Sequence, residues 1–291
     1  MASLRDIRNR IKSVKNTQKI TGAMKLVAAS KLRRAQDRIT AARPYALSLG
    51  DVLRNVVGGI ADQEVLHEHP LLAERNVKRV LLLVATSDRG LCGAFNTNVV
   101  KRAELFLREN SAKYDEIRIG CLGRKGMEYF RKRYPDQTFE YPEVFDKLVY
   151  ETAANISESL GKSFIDGNYD AVYVIFNEFK SAMTQILTLE QLLPVAPEIP
   201  DDEQGANEYI FEPSAGDVLE SLVPKFLATS VWRVLLESVA AEHASRMTAM
   251  DSATKNAKEL SDKLTLAYNR ARQASITQEL MEIVGGAEAL N

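Results

Sequence analysis

The residues of this chain that could perform chemistry begin with a glycine-bearing turn that follows an apolar run. The turn, Thr86–Gly93, contains Gly90, Cys92 and Gly93. Such a turn between a strand and a helix can bind phosphate through backbone N–H groups at the helix amino terminus. The dinucleotide fingerprint needs glycines at its first, third and sixth positions. Counted from Gly90, these positions hold Gly90, Cys92 and Phe95, so the turn does not match the motif.

The other candidates for chemistry are equally incomplete. Gly161-Lys162-Ser163 resembles the end of a phosphate loop, but Ile156 stands where that loop needs its first glycine. Cys92 has no histidine nearby in the sequence to act as a base. His67 and His69 have no third metal ligand at a helical spacing. We therefore predict no catalytic residue, no metal site and no cofactor for this chain.

The bulk composition is that of a protein with one or two domains and a substantial core. The chain has 291 residues, of which 45% are hydrophobic and 26% charged. Cys92 and Cys121 are its two cysteines, and their apolar surroundings predict buried, reduced thiols in a cytosolic chain. The sequence contains no run of ~18 apolar residues and no apolar signal-peptide core at its start. Any membrane association is therefore expected to occur through partners.

The net charge of −1 conceals a strongly basic amino terminus. Within residues 1–43 the acidic side chains are Asp6 and Asp37. The basic side chains there are Arg5, Arg8, Arg10, Lys12, Lys15, Lys19, Lys25, Lys31, Arg33, Arg34, Arg38 and Arg43. Such an arm could contact nucleic acid, an anionic membrane or an acidic protein surface, and composition does not choose among these.

The first segment predicts a long helix from Leu4 to about Arg43, because it contains no proline before Pro44. Its apolar residues begin at heptad spacing with Ile7, Ile11 and Val14, slip in phase to Ile20, Met24 and Val27, and resume at Ala28, Leu32, Ala35 and Ile39. Gln18, Thr21 and Lys25 interrupt this apolar seam. The pattern favours a coiled coil that also touches something outside itself.

The last segment predicts a second long helix from Pro224 to about Val284, preceded by a short helix that Ser214 and Asp217 would cap. At ~1.5 Å per residue, ~60 residues would extend on the order of 90 Å, so this helix needs a partner. Its predicted seam is Leu260, Leu264, Ala267, Ala271 and Ala274, followed by a second stripe at Ile276, Leu280, Ile283 and Ala287. The amino-terminal helix matches it in length and is the natural partner.

Between the helices, residues 78–193 alternate strand and helix patterns. Val80–Ala85 is a continuous apolar run of the kind found in buried parallel strands. The further predicted strands are residues 117–122, 138–141, 171–176 and 186–192. The predicted fold class is thus α/β plus a long antiparallel coiled coil, with a Rossmann-like open α/β domain at its side. The predicted domains are residues 1–60, a connection 61–77, an α/β domain and foot 78–213, and the second helix 214–291.

These patterns leave several functions open. The helices could belong to an adaptor or to a nucleic-acid-binding coiled coil, which would bind DNA with a strong dependence on salt. The chain could also be a nucleotide-binding α/β enzyme with a coiled-coil arm, which would bind ATP or NAD by itself.

Five stretches carry a specific resemblance. Met1–Ile11, Val14–Thr21 and Leu26–Gln36 resemble the amino terminus of the gamma subunit of F-type ATP synthases. Ser87–Gly93 resembles a turn in the central domain of that family, and Ala271–Leu280 resembles its carboxy-terminal signature. The motifs occur in the order of the family and span essentially the whole chain.

The resemblance implies a non-catalytic rotor that couples proton flow through a membrane ring to ATP synthesis or hydrolysis. The implied partners are three alpha and three beta subunits, an epsilon subunit and the membrane c-ring, with no nucleic acid. ATP, ADP and Mg would bind to partner subunits, and no cofactor to this chain. The chain lacks the paired cysteines of the chloroplast redox insertion and a visible transit peptide. The implied location is the cytoplasmic face of a bacterial plasma (inner) membrane.

The resemblance also assigns contact residues. The implied rotor–stator contacts are Arg272, Gln273, Thr277, Gln278, Lys25, Arg33 and Arg34. Ile276–Ala289 would lie in an apolar sleeve formed by the catalytic subunits. Tyr209 and Glu212 would belong to a foot that contacts the c-ring and epsilon.

Overall fold

The computed structural model describes residues 3–60, 69–141, 144–145, 148–196, 212 and 214–288, with side chains as far as 285. Its ten elements follow in chain order. They are α1 (Leu4–Gly59), β1 (Arg79–Ala85), α2 (Phe95–Asn110), β2 (Glu116–Leu122), α3 (Arg124–Phe130), β3 (Thr138–Tyr141), α4 (Tyr150–Ile165), β4 (Ala171–Phe179), β5 (Gln185–Leu193) and α5 (Ala215–Glu288). The predicted alternation of strands and helices in the middle of the chain is confirmed.

The chain divides into two compact units. One unit is the α/β unit, residues 30–245, and the other is the helical unit, residues 1–29 with 246–291. Helices α1 and α5 contribute residues to both.

The α/β unit contains a five-stranded sheet in the order β3-β2-β1-β4-β5. Strands β1, β2, β3 and β4 are parallel, and β5 pairs with β4 in the antiparallel direction at one edge. Parallel strands need crossover helices that cover both faces of a sheet. The open α/β sheet predicted from the sequence is confirmed, including the short β3 and the edge strand β5.

Strand β1 shows why the apolar run near residue 80 is continuous. Successive side chains of a strand point to opposite faces. Leu81 and Leu83 join a core that includes α4, α5 and the end of α1, whereas Val80 and Leu82 join a second core with α2 and α3. Because both faces are covered, every side chain from Val80 to Ala85 is buried.

Both long helices continue through a proline at which the sequence analysis predicted a helix boundary. Helix α1 continues through Pro44 to Gly59, and α5 begins at Ala215 and continues through Pro224. A proline inside a helix removes one backbone hydrogen bond, which exposes a carbonyl four residues earlier. Those carbonyls belong to Thr40 and Glu220, and both residues are exposed, so water can satisfy them. The predicted end near Arg43 and the predicted separate helix before Pro224 are therefore wrong.

In the helical unit, α1 presents one regular face. Its less exposed residues follow alternating spacings of three and four without a slip: Leu4, Ile7, Ile11, Val14, Gln18, Thr21, Lys25 and Ala28. The predicted phase slip through Ile20, Met24 and Val27 is wrong, because Ile20 and Val27 are 61% and 57% exposed, although Met24 is less exposed. The seam keeps its heptad period by passing through three polar residues.

Most of the facing residues of α5 are small or polar, and Met250 and Leu264 are the large apolar ones among them. Its less exposed positions at the same heptad spacing are Met250, Thr254, Ala257, Ser261, Leu264, Tyr268 and Ala271. Leu264 and Ala271 were placed in the seam correctly from the sequence, but Leu260, Ala267 and Ala274 are exposed. Thr21 contacts Thr254 while Lys25 contacts Asp251, so residue numbers rise along α1 as they fall along α5. The two helices are therefore antiparallel, as predicted.

The turn after β2 requires glycine. Gly123 has a φ of 104°, and a Cβ at this position would lie 2.1 Å from the carbonyl oxygen of Thr86. We expect Gly123→Ala to destabilise the folded chain by roughly 2 kcal/mol or more, because the substitution combines an unfavourable φ with a backbone clash. Urea unfolding followed by circular dichroism measures this change.

Gly22→Ala is the matched control. Gly22 lies within α1, and a Cβ there would meet nothing within 4 Å. That substitution should stabilise the chain by about 0.5–1 kcal/mol, because alanine loses less conformational freedom in a helix. Equal effects of the two substitutions would contradict this account of Gly123.

Candidate functional site

The first place to look for a ligand site is the carboxyl end of β1. Strands β2 and β4 lie on opposite sides of β1, and such a switch point is where open α/β sheets bind ligands. The turn there has left-handed backbone at Leu91 and Gly93, with φ values of 64° and 58°. The glycine-bearing turn of the sequence is therefore in the position that a nucleotide-binding domain would use.

This crevice is filled by the protein itself. Ala241 of α5 packs with Cys92 and Phe95, and Phe179 from the end of β4 lies against them. The backbone N–H of Phe179 donates a hydrogen bond to Glu237 Oε2 of α5, at 2.9 Å. A ligand would have to displace α5 from the sheet. The geometry therefore disfavours the nucleotide-binding enzyme considered above.

Cys92 is part of the turn's internal structure. It is 2% exposed, and Asn96 Nδ2 lies 3.3 Å from its Sγ. Ser87 Oγ lies 3.6 Å from the same sulfur and donates to the backbone carbonyl of Arg89. These contacts tie the turn to the first residues of α2, so the interpretation of Cys92 as a packing residue fits the structure.

The other chemical candidates are also part of helices or turns. Gly161-Lys162-Ser163 lies inside α4 and not after a strand. The Nδ1 atom of His69 accepts a hydrogen bond from the backbone N–H of Leu71, and His67 lies outside the described residues. Among the described residues, no three His, Cys, Asp or Glu side chains form a group that could hold a metal. The described helices also include none that is long and apolar enough to span a membrane.

The helical unit holds a polar cluster where α1 and α5 meet. Lys25 Nζ donates to Asp251 Oδ1 at 2.6 Å, and Lys255 Nζ lies 2.8 Å from Asp251 Oδ2. The hydroxyl oxygens of Thr21 and Thr254 lie 2.7 Å apart. Hydrogen bonds from the two ammonium groups lower the pKa of Asp251 to about 2.

The predicted contact residues near the carboxyl end of α5 are all exposed. Thr277 Oγ1 donates to the backbone carbonyl of Gln273 at 2.9 Å, and Gln278 Nε2 donates to Glu282 at 3.0 Å. Arg272 and Gln273 project from the same exposed stretch. The polar, accessible surface that these residues form is compatible with contacts to a stator. Their role in such contacts stays a prediction.

The other predicted contact residues are distributed differently. Arg33 and Arg34 of the α/β unit are exposed. Lys25 is half-buried and paired with Asp251, an intrachain role that the sequence analysis missed. Glu212 is exposed, and Tyr209 lies outside the described residues. The other basic side chains of residues 5–43 are all exposed, so α1 presents a basic surface.

Beyond the seam, the end of α5 exposes apolar side chains. Continuing the register of Thr21 with Thr254 brings α1 to its first residue, Leu4, near Ala271. The residues that follow include five large apolar side chains, each about half exposed or more: Ile276, Leu280, Met281, Ile283 and Val284. We call residues 272–285 the tip. Exposed apolar surface of this extent marks a partner-binding surface.

Sequence comparison finds proteins similar to this chain along its whole length. A family model described as ATP synthase matches residues 3–290. The ATP synthase gamma chain of Geobacter sp. strain M21 is 51% identical over 290 residues, covering 100% of this chain and 99% of that protein. The ATP synthase gamma chain of Chloroherpeton thalassium is 50% identical over 305 residues, with the same shares covered.

A solved structure extends the comparison. A chain in the central stalk and c-ring of the Tetrahymena thermophila mitochondrial ATP synthase aligns with a TM-score of 0.62 and 27% identity, covering 80% of this chain and 99% of its own length. The fold and the exposed tip thus define a subunit that presents long helices to partners. The chain belongs to the ATP synthase gamma chain family. The resemblance drawn from the sequence motifs is confirmed, as is the interpretation as a central-stalk subunit.

Cys121 should be chemically inert in the folded chain. It is fully buried in β2, and burial raises the pKa of its thiol to about 12. At pH 8 the thiolate fraction should be about a thousandfold lower than for an ordinary cysteine. Alkylation by iodoacetamide, read by mass spectrometry, should proceed only after the chain is unfolded in urea. Rapid labelling of Cys121 in the native chain would contradict its burial.

Asp251 should titrate at an unusually low pH. Its folded-state pKa of about 2 lies below the ordinary value of 3.8. The pairing therefore stabilises the helical unit fully above pH 3.8, and this stabilisation is lost as the pH falls towards 2. Carboxyl-carbon NMR titration of the native chain should give the low value. Lys25→Met should raise the Asp251 pKa, and an unchanged value would contradict the contact.

Proposed function

We propose that this chain is the rotor shaft of an F-type ATP synthase. Proton flow through the membrane c-ring turns it within three alpha and three beta subunits. Each catalytic beta subunit then meets a different side of the shaft, which biases its conformation. ATP, ADP and Mg bind to the partner subunits, where the chemistry of synthesis or hydrolysis takes place.

The observation that carries this proposal is the tip. A helix of a soluble chain normally buries its apolar side chains against its own fold. Here Leu280 and Ile283 are 57% and 68% exposed, at the end of α5 that extends past α1. An apolar sleeve formed by the catalytic subunits would cover them. The polar surface of Arg272, Gln273, Thr277 and Gln278 would face the loops below that sleeve.

The charge of α1 supports the same proposal. Its exposed basic side chains, including Arg33 and Arg34, would face acidic loops of the catalytic subunits. Interactions between exposed charges are weak and easily exchanged, so they can favour one orientation without fixing it. A large apolar interface along the whole shaft would instead prevent rotation.

By family resemblance, Tyr209 and Glu212 would form part of the foot that contacts epsilon and the c-ring. Through these partners the chain would be peripheral on the cytoplasmic face of a bacterial plasma (inner) membrane. The bacterial relatives and the c-ring that accompanies the Tetrahymena thermophila chain support this placement.

A chain that ends at Ala274 tests the role of the tip. We expect it to assemble with alpha and beta subunits, because the seam between α1 and α5 is retained. It should produce less torque during ATP hydrolysis, because the tip contacts are lost. Co-purification measures assembly, and rotation of a bead attached to the shaft measures torque.

A chain that ends at Gly285 is the matched control, since it keeps every described apolar side chain of the tip. It should assemble and rotate like the full chain. Normal torque from the Ala274 truncation would remove the proposed role of the tip. A full-length chain that stays monomeric beside alpha and beta would overturn the proposed function itself.

A further inference from the structure

A cavity of about 460 Å³ lies between α1 and α5 in the α/β unit. Pockets that hold small molecules usually have volumes of ~300–1,000 Å³ and mostly apolar walls with a few polar groups. This cavity has the same character. We call it the trough, and its walls are chiefly Ile39, Ala42 and Ala46 of α1 and Thr229, Trp232 and Leu236 of α5.

Each wall of the trough is one face of a helix. On α1 and on α5 the wall residues recur at spacings of three and four, which places them on one side of each helix. Residues 39–46 and residues 229–236 each extend over roughly 10 Å. A cavity with two long walls fits a chain-shaped molecule better than a compact one.

The opening of the trough is rich in aromatic and apolar side chains. Tyr150 of α4 meets Trp232 edge to face, with 6.2 Å between the ring centroids. Tyr45, Leu47 and Tyr150 are 55%, 62% and 42% exposed, and all three line the cavity. Burial of apolar surface away from water is favourable. An apolar molecule in the trough would therefore gain free energy by covering these side chains.

Two arginines line the trough, and they differ in their partners. Arg233 forms an ion pair with Glu190 of β5. Arg43 is exposed and forms no ion pair with another residue of the described part of the chain. The guanidinium of Arg43 is therefore available to an anion that enters the trough.

The acidic residue of the trough, Glu237, is turned towards the sheet. It is 8% exposed, and its Oε2 atom accepts the backbone N–H of Phe179 at 2.9 Å. Burial raises the pKa of Glu237, which favours its neutral form, and Arg43 is the weakest of the influences on that pKa. Glu237 thus engages the charge of Arg43 only weakly.

We propose that the trough binds a free fatty carboxylate, with the alkyl chain between α1 and α5 and the carboxylate paired with Arg43. The planar guanidinium of one arginine matches a carboxylate, whereas phosphate groups are typically recognised by clusters of arginines. The apolar walls exclude a strongly polar ligand such as a nucleotide. This site is a property of the single chain and does not rest on the rotor assignment.

Trp232 makes the proposal measurable in the full-length chain, because it is the one tryptophan of the sequence. Decanoate labelled with bromine should quench Trp232 fluorescence saturably, since bromine quenches tryptophan on contact. The corresponding brominated alcohol and alkyltrimethylammonium ion carry the same chain without the negative charge. We expect each of them to bind about tenfold more weakly than the carboxylate, because a charge-assisted hydrogen bond is lost.

Two pairs of variants locate the binding. Arg43→Gln should weaken decanoate binding about tenfold, whereas Arg108→Gln, which removes an exposed arginine of α2, should leave it unchanged. Ala42→Leu should weaken binding at least tenfold by filling the trough. Ala41→Leu adds the same side chain at an exposed position of α1 outside the trough and should have no effect.

Several outcomes would overturn the proposal. One is the absence of saturable quenching, and another is equal binding of the carboxylate, the alcohol and the ammonium ion. Unchanged binding in both Arg43→Gln and Ala42→Leu would place the ligand elsewhere. If Ala42→Leu does not fold by circular dichroism, Arg43→Gln decides, because Arg43 is exposed. A change in Trp232 emission caused by purified epsilon subunit but not by decanoate would make the trough a protein-docking surface instead.

Discussion

The pairing of α1 with α5 is the contact on which the helical unit depends. Neither helix carries a full apolar face in this unit, because the α1 seam is interrupted by polar residues and the α5 seam is mostly small. Their stability comes from tertiary packing and not from helix propensity. The cluster of Lys25, Asp251, Thr21 and Thr254 supplies directional contacts where apolar burial is least.

The α/β unit illustrates how a ligand-binding architecture can serve a different purpose. Its strand order and its turn after β1 are those of a domain that binds ligands at a switch point. Ala241 and Phe179 occupy that position, and Glu237 accepts a hydrogen bond from the end of β4. Helix α5 therefore packs into this crevice. The sheet thus packs against the part of α5 that lies in the α/β unit.

The sequence predicted much of the α/β unit because its signals are local. The run from Val80 to Ala85 is apolar throughout, and this pattern requires a strand covered on both faces. The heptad positions of α1 were harder to predict, because Ile20 and Val27 suggested a shift in phase. Lys25 belongs in the seam because Asp251 faces it, and Asp251 is distant in the chain. Likewise, whether Pro44 ends a helix depends on the exposure of Thr40, which a linear pattern does not contain.

The contact residues at the tip could be proposed only through family resemblance. Arg272 and Thr277 have no feature in sequence or structure that separates them from other exposed helical residues. Their chemistry becomes specific when a partner surface is present. By contrast, the exposed apolar side chains of Leu280 and Ile283 identify a partner-binding surface from the structure alone.

The small side chains of the α5 seam have a mechanical consequence. Residues such as Ala257 and Ser261 let two helix axes approach towards the lower end of the usual ~8–10 Å range. A pair of helices at that spacing has a small radius, and the resistance of a rod to twisting rises steeply with its radius. The helical unit should therefore resist a turning load less than a thicker bundle of helices would.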